Sequence, residues 1–303
     1  MLAFQSQKKG LLYSRSTDSV ANLSKNFMKI DLHCHTTASD GQLSPAQLLE
    51  RAQEQGIDLL AITDHDTIQG YLAIKDQVPN KGISLVSGVE FSATWGGASI
   101  HIVGLDVDID SLSLQRALAR QQNARVLRAK RIAERLEARG CIGAYAGAKR
   151  IAGDAQIGRP HFAQFLIEEN VVATHAQAFD KYLGTGKLGD VKAQWPTVTE
   201  VVEWIRAADG VAVLAHPGKY RMTNTKLRRL IETFKLAGGQ AIEVVSGMQN
   251  PDKTQYFARL CDEFELLASM GSDFHGPPSQ WSDIGKMSLL PQRSQTVIDL
   301  IRV

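Results

Sequence analysis

The chain has 303 residues, 22% charged and 44% hydrophobic, with a net charge of +2, the composition of an ordinary soluble globular protein. That length fits one large domain, or one domain carrying an insertion. No apolar run approaches the roughly 20 residues of a membrane span. The three cysteines, Cys34, Cys141 and Cys261, show neither C-x-x-C nor disulfide-framework spacing, which points to a reducing, cytoplasmic setting.

Residues 1–27 are polar and lack the apolar core of a secretory leader. They read as an N-terminal extension, disordered or a start-site artefact. The first strand is expected over 29–33 and ends in His33-Cys34-His35. Side chains alternate faces along a strand, so His33 and His35 point together like two prongs, while Cys34 turns into the packing on the other side. Asp40 follows in the loop. A helix over 44–55 has Ser44 as N-cap, Pro45 in its first turn and Gly56 at its end. The second strand, 58–63, runs into Asp64-His65-Asp66. The third, 84–90, ends at Glu90, and the fourth, 99–106, carries His101 among apolar neighbours.

Strand–helix alternation then stops. Residues 107–193 read as helices only (112–139, 143–151, 159–170 and 174–183), too long a gap for an ordinary connection. It resumes with a helix over 197–208 and a strand over 211–215 followed by His216. A helix over 225–236, a strand over 241–245, a helix over 252–264 and a strand over 266–270 come next, with Asp273 and His275 just beyond. The pattern predicts an α/β fold with a largely parallel sheet, a distorted seven-stranded relative of the (β/α)₈ barrel. The barrel comprises 28–106 and 194–303, and 107–193 forms a helical cap over its C-terminal mouth. Between Arg116 and Arg150 ten cationic residues face only Glu134 and Glu137. They form either a solvated face or a lip attracting a polyanion. The scarcity of aromatics there argues against stacking along a long single strand.

Barrel enzymes place catalytic groups at the C-terminal ends of strands. His33, His35, Asp40, His65, Glu90, His101, His216, Asp273 and His275 nearly all fall there. They offer six imidazoles and three carboxylates and no thiolate. Mixed N/O ligation suits Mn²⁺, Zn²⁺ or Fe²⁺. Nine ligands exceed the needs of one ion, so two or three ions with a bridging carboxylate are expected. Asp64 and Asp66 read as groups supporting the ligands around His65.

The motifs Asp31-Leu32-His33-Cys34-His35, Thr63-Asp64-His65-Asp66-Thr67, Gly88-Val89-Glu90, Ala215-His216-Pro217 and Gly271-Ser272-Asp273-Phe274-His275 together resemble the PHP (polymerase and histidinol phosphatase) superfamily. The resemblance implies a distorted (β/α)₇ barrel with a trinuclear site. One ion would take His33, His35, Glu90 and Asp273. A second would take Asp40, His65 and His275, and a third Glu90, His101 and His216. The insertion, with Gly158-Arg159-Pro160-His161, resembles the branch containing RNase AM and the 3′,5′-nucleoside bisphosphate phosphatases.

That resemblance implies a cytoplasmic phosphoesterase holding three divalent ions, Mn²⁺ first, with Zn²⁺ or Fe²⁺ as alternatives. It would remove the 3′-phosphate of nucleoside 3′,5′-bisphosphates, or cleave short 5′-phosphorylated RNA from its 5′ end, by attack of a metal-bridging hydroxide. Arg159, His161 and Lys192 are the expected substrate contacts, with His161 also a candidate general acid and Asp64 a supporting carboxylate. No membrane association or obligate protein partner is expected. Rival readings are a histidinol-phosphate phosphatase and a non-catalytic scaffold built on the same barrel.

Overall fold

The computed structural model describes residues 28–78, 82–192, 194–276 and 282–302, so the extension expected over 1–27 lies outside the described residues. Seven strands pair in chain order: β1 (Ile30–Cys34), β2 (Leu59–Ile62), β3 (Ser84–Trp95), β4 (Ala98–Leu105), β5 (Val211–Leu214), β6 (Ala241–Ser246) and β7 (Leu267–Gly271). The sheet curls until its ends nearly meet. His35 N–H donates to the Phe274 carbonyl at 2.9 Å and Asp273 N–H to the His33 carbonyl at 2.8 Å, joining β1 to the segment beyond β7.

Two features differ from the sequence expectation. β3 runs on past Glu90 to Trp95 and turns through Gly96-Gly97 into β4, making a long hairpin. β4 is consequently antiparallel to both neighbours, whereas the other four pairings are parallel. The short helix α2 (Gln69–Ile74), which has no side-chain N-cap, was also not anticipated. By contrast α1 (Pro45–Glu54) begins as expected, with Ser44 and Gln47 forming a reciprocal capping box.

Apolar strand residues such as Leu32, Ala61, Val86, Val103 and Val213 fill the barrel, with Val297 among them. Helices cover the outside: α7 (Val198–Ala207), α8 (Asn224–Leu236) and α9 (Pro251–Phe264) on one flank, α1 on another. The stretch 107–193 contains α3 (Leu112–Glu137), α4 (Ala144–Ala152), α5 (Arg159–Glu168) and α6 (His175–Ala178). It has its own core, in which Ala129, Leu136, Phe162, Leu166 and Leu183 are buried. The first turns of α3 instead join the barrel, through Leu114 and Ala117. Among the described residues no helix is long and apolar enough to cross a membrane.

Candidate metal centre

The strand ends deliver the candidate ligands to one point. His33 and His35 project together from β1, their Nε2 atoms 3.1 Å apart. Cys34 faces the other way, its thiol donating to the Ala61 carbonyl at 3.2 Å, and burial pushes that thiol well above its usual range. Glu90 is fully buried in the middle of β3 rather than at its end. Its Oε1 lies 2.8 Å from both His101 Nδ1 and His216 Nε2. Its Oε2 lies 2.8 Å from His65 Nδ1, 3.3 Å from His35 Nε2 and 3.4 Å from His33 Nε2. The antiparallel course of β4 explains His101, which reaches Glu90 from mid-strand. Close backbone approach is required where β7 ends: a Cβ on Gly271 would lie 2.8 Å from the His33 nitrogen.

All nine candidates fall into groups whose donor atoms lie within 4.8 Å of one another. The groups are His35, Asp40, His65 and His275; His33, Glu90 and His216; His33, His35 and Asp273; and His65, Glu90 and His101. His35 Nδ1 and His216 Nδ1 are buried and have no hydrogen-bond partner, and His65 Nδ1 and Glu90 Oε2 face each other at 2.8 Å without hydrogen-bond geometry. Buried polar groups are otherwise almost always satisfied, so such orphans suit cation ligation. Charge balance agrees. Burial opposes ionisation of Glu90, but His65, His101 and His33 hold it well below the ordinary carboxylate range. Burial likewise opposes protonation of His275, yet Asp40 and Asp273 carry it up to about 9. Burial pushes His65 down to about 4, against the pull of Glu90 and Asp40. His216 and Asp273 adopt positive φ, +29° and +51°, a strained conformation that tends to cluster at functional sites.

The structure adds one carboxylate to the expected supporting groups. Asp64 accepts from Thr36 N–H and Oγ at 2.7 Å and from Ser39 Oγ at 2.6 Å, fixing the loop that carries Asp40. Asp66 accepts from Ser92 N–H at 2.7 Å and Arg125 Nε at 2.6 Å. Each therefore ties down a neighbouring segment. The carboxylate that does touch a ligand imidazole is Glu243 on β6, absent from the sequence reading. Its Oε1 lies 3.2 Å from His33 Nδ1 and its Oε2 accepts the His216 N–H. A charged residue amid Ala241-Ile242 and Val244-Val245 was the available signal, since an ionised group in a buried strand is costly unless paired.

Over the mouth, the cap contributes Arg125, Arg128 and Arg159, which line a cavity of about 190 Å³ with Asp40, His65 and His101. Burial and the neighbouring Arg159 and Arg125 lower Arg128 to about 10, and burial lowers Arg159. Crowded guanidiniums next to an imidazole-rich cluster are suited to an anion. Arg159 also donates to the Leu183 carbonyl at 3.2 Å. His161 Nδ1 accepts from Gly158 N–H at 2.9 Å as the cap of α5, so a neutral ring carries its proton on Nε2, and burial lowers its pKa. Lys192 is exposed farther out.

The basic stretch is not one lip: Arg120 pairs with Glu200, Arg150 with Glu168, and Arg135 donates to the Leu188 carbonyl. Aromatic rings reach the cavity from outside that stretch, Phe179 and Trp195 among its lining.

The sequence matches the PHP domain model over residues 31–207. It is 44% identical over 258 residues to a 5′-3′ exoribonuclease of Haemophilus influenzae, covering 85% of this chain and 93% of that one. It is 41% identical over 263 residues to a 3′,5′-nucleoside bisphosphate phosphatase of Chromobacterium violaceum, covering 86% and 92%. A solved amidohydrolase from C. violaceum, with bound sulfate and no metal, superposes with a TM-score of 0.83 at 40% identity, over 90% of this chain and 95% of that one.

Proposed function

The chain belongs to the PHP domain family, and on that footing we propose that it is a metal-dependent phosphoesterase. Its substrates are nucleoside 3′,5′-bisphosphates and short 5′-phosphorylated RNA. The observation that carries the reading is the convergence of nine N/O ligand residues, Glu90 among them, several with atoms that lack partners, beneath a pocket of three arginines. His33, His35, Asp40, His65, Glu90, His101, His216, Asp273 and His275 would hold three divalent ions, with Glu90 shared by two of them. Mn²⁺ suits this donor set, as do Zn²⁺ and Fe²⁺. Such ions supply charge that offsets the phosphoryl oxygens and activates water at neutral pH.

The chain's own groups supply orientation. Arg125, Arg128 and Arg159 would grip the 5′-phosphate, placing the 3′-phosphate over the cluster. Arginine suits this because its planar fork can hold two phosphate oxygens at once. His161, with its Nδ1 engaged by the helix cap, offers Nε2–H to the leaving 3′ oxygen as a hydrogen-bond donor. The cationic cavity favours a nucleotide over histidinol phosphate, whose free amine would meet three guanidiniums.

Protein loaded with Mn²⁺ and desalted is expected to hold about three ions by elemental analysis. It should hydrolyse adenosine 3′,5′-bisphosphate and leave histidinol phosphate nearly untouched. Retention of fewer than two ions, or the reverse substrate order, would refute the reading. Arg159→Ala should lower kcat/KM on the bisphosphate roughly tenfold, the scale of one charge-assisted contact, while changing a generic monoester little. Equal rates for mutant and parent on both would make Arg159 structural.

A further inference from the structure

We propose that the groove leading outward from the metal cluster is a second nucleotide subsite, seating the residue 3′ to the scissile phosphate. The inference rests on the phosphoesterase reading above and decides between its two substrates: oligonucleotides would be preferred over mononucleotides. The inner cavity, about 190 Å³, falls below the roughly 300–1,000 Å³ typical of a small-molecule site. An adjoining groove of about 480 Å³ shares Arg128, Arg159 and Trp195 with it, so the two lie side by side.

The chemistry of the groove is that of a single-strand path. Among the described residues, Arg128, Arg159, Lys192, Lys219 and Arg221 line it against one carboxylate, Asp190. Lys192, Lys219 and Arg221 are exposed. Lys219 also contacts Asp273, which brings a cation of the groove to the edge of the cluster. The floor is the tip of the β3–β4 hairpin, open above Gly97, where a Cβ would meet nothing within 4 Å. Trp195 is the shared wall. Its ring lies 5.6 Å from the Arg125 guanidinium and 5.9 Å from that of Arg128, and it is half-buried, a fixed plate against which a base can stack.

Direction follows from these positions. With the 5′-phosphate held by the inner arginines and the scissile phosphate over Glu90, the remaining chain leaves past Lys219 and Arg221. Hydrolysis adds the oxygen of water to phosphorus and breaks the bond to the 3′ oxygen, which takes a proton. The downstream piece keeps the phosphate as a new 5′ end and can re-enter.

The test compares Mn²⁺-loaded parent with the Lys192→Ala/Arg221→Ala double variant on adenosine 3′,5′-bisphosphate and on 5′-phosphorylated tetraadenylate. The ratio of kcat/KM on the tetranucleotide to that on the bisphosphate should fall about tenfold in the variant. The slope of log affinity against log salt should become shallower by about 1.4, read by anisotropy with a 3′-labelled phosphorothioate tetranucleotide. An unchanged ratio and slope, with the bisphosphate still hydrolysed, would overturn the subsite and leave the phosphoesterase standing. A parent that hydrolyses neither substrate would overturn both.

Discussion

Glu90→Gln is expected to lower kcat/KM by roughly 10²- to 5 × 10³-fold, whereas Lys149→Ala, exposed on α4, should change it less than about twofold. Glu90 is fully buried and both of its oxygens face imidazoles, three of them at 2.8 Å. Glutamine keeps the shape but removes the charge and replaces one acceptor by a donor that faces other nitrogens. Removing one partner from a buried charged set costs about 3–5 kcal/mol, which converts to that range of rate. Mn²⁺ content measured beside kcat/KM separates lost ions from lost turnover. Equal effects of the two substitutions would remove Glu90 from the centre of the site.

Glu243→Gln should weaken Mn²⁺ binding 10- to 100-fold, the usual effect of deleting the carboxylate behind a ligand histidine. Glu243 faces two groups at once, His33 Nδ1 and the His216 N–H. A carboxylate accepts from both, so a neutral His33 ring carries its proton on Nδ1 and presents Nε2 to the cluster. An amide has one acceptor, so one buried donor loses its partner, at about 1–3 kcal/mol. Chelator-competition titration measures the affinity, and Glu265→Gln, on the exposed surface, is the control. Unchanged affinity in Glu243→Gln would mean that His33 is oriented by its strand alone.

Most candidate ligands were legible because they interrupt or follow an apolar run, as His33 and His35 do at the end of β1. The residues that hold them were not. Glu243 is polar but sits inside a strand, and its partners are distant in sequence. The β3–β4 hairpin was missed for a local reason: Phe91-Ser92-Ala93-Thr94-Trp95 continues the alternation, and Gly96-Gly97 is an ordinary hairpin turn. Reading 84–90 and 99–106 as separate strands hid the reversal of β4. The basic stretch misled because spacing along α3 does not say which cations meet carboxylates. Arg120 finds Glu200, whereas Arg125 and Arg128 turn toward the cavity. Trp195, in the connection before α7, carries no local signal of its place beside the cavity.

The reversed β4 sets a mechanical relation between barrel and cap. Because β4 ends at the N-terminal face of the barrel, where Leu105 pairs with Val211 at the start of β5, the chain enters α3 from below. Its 26 residues then climb about 39 Å to the rim. One uninterrupted rod is thus bolted to the barrel at its foot and embedded in the cap at its head. Arg125 stands near its midpoint, pinned to Asp66. A swing of the head about that pin would move Arg125 far less than it moves α4 and α5. The arginines that α3 contributes to the cavity would therefore keep their distance from the ligand loops even where the roof above them shifts.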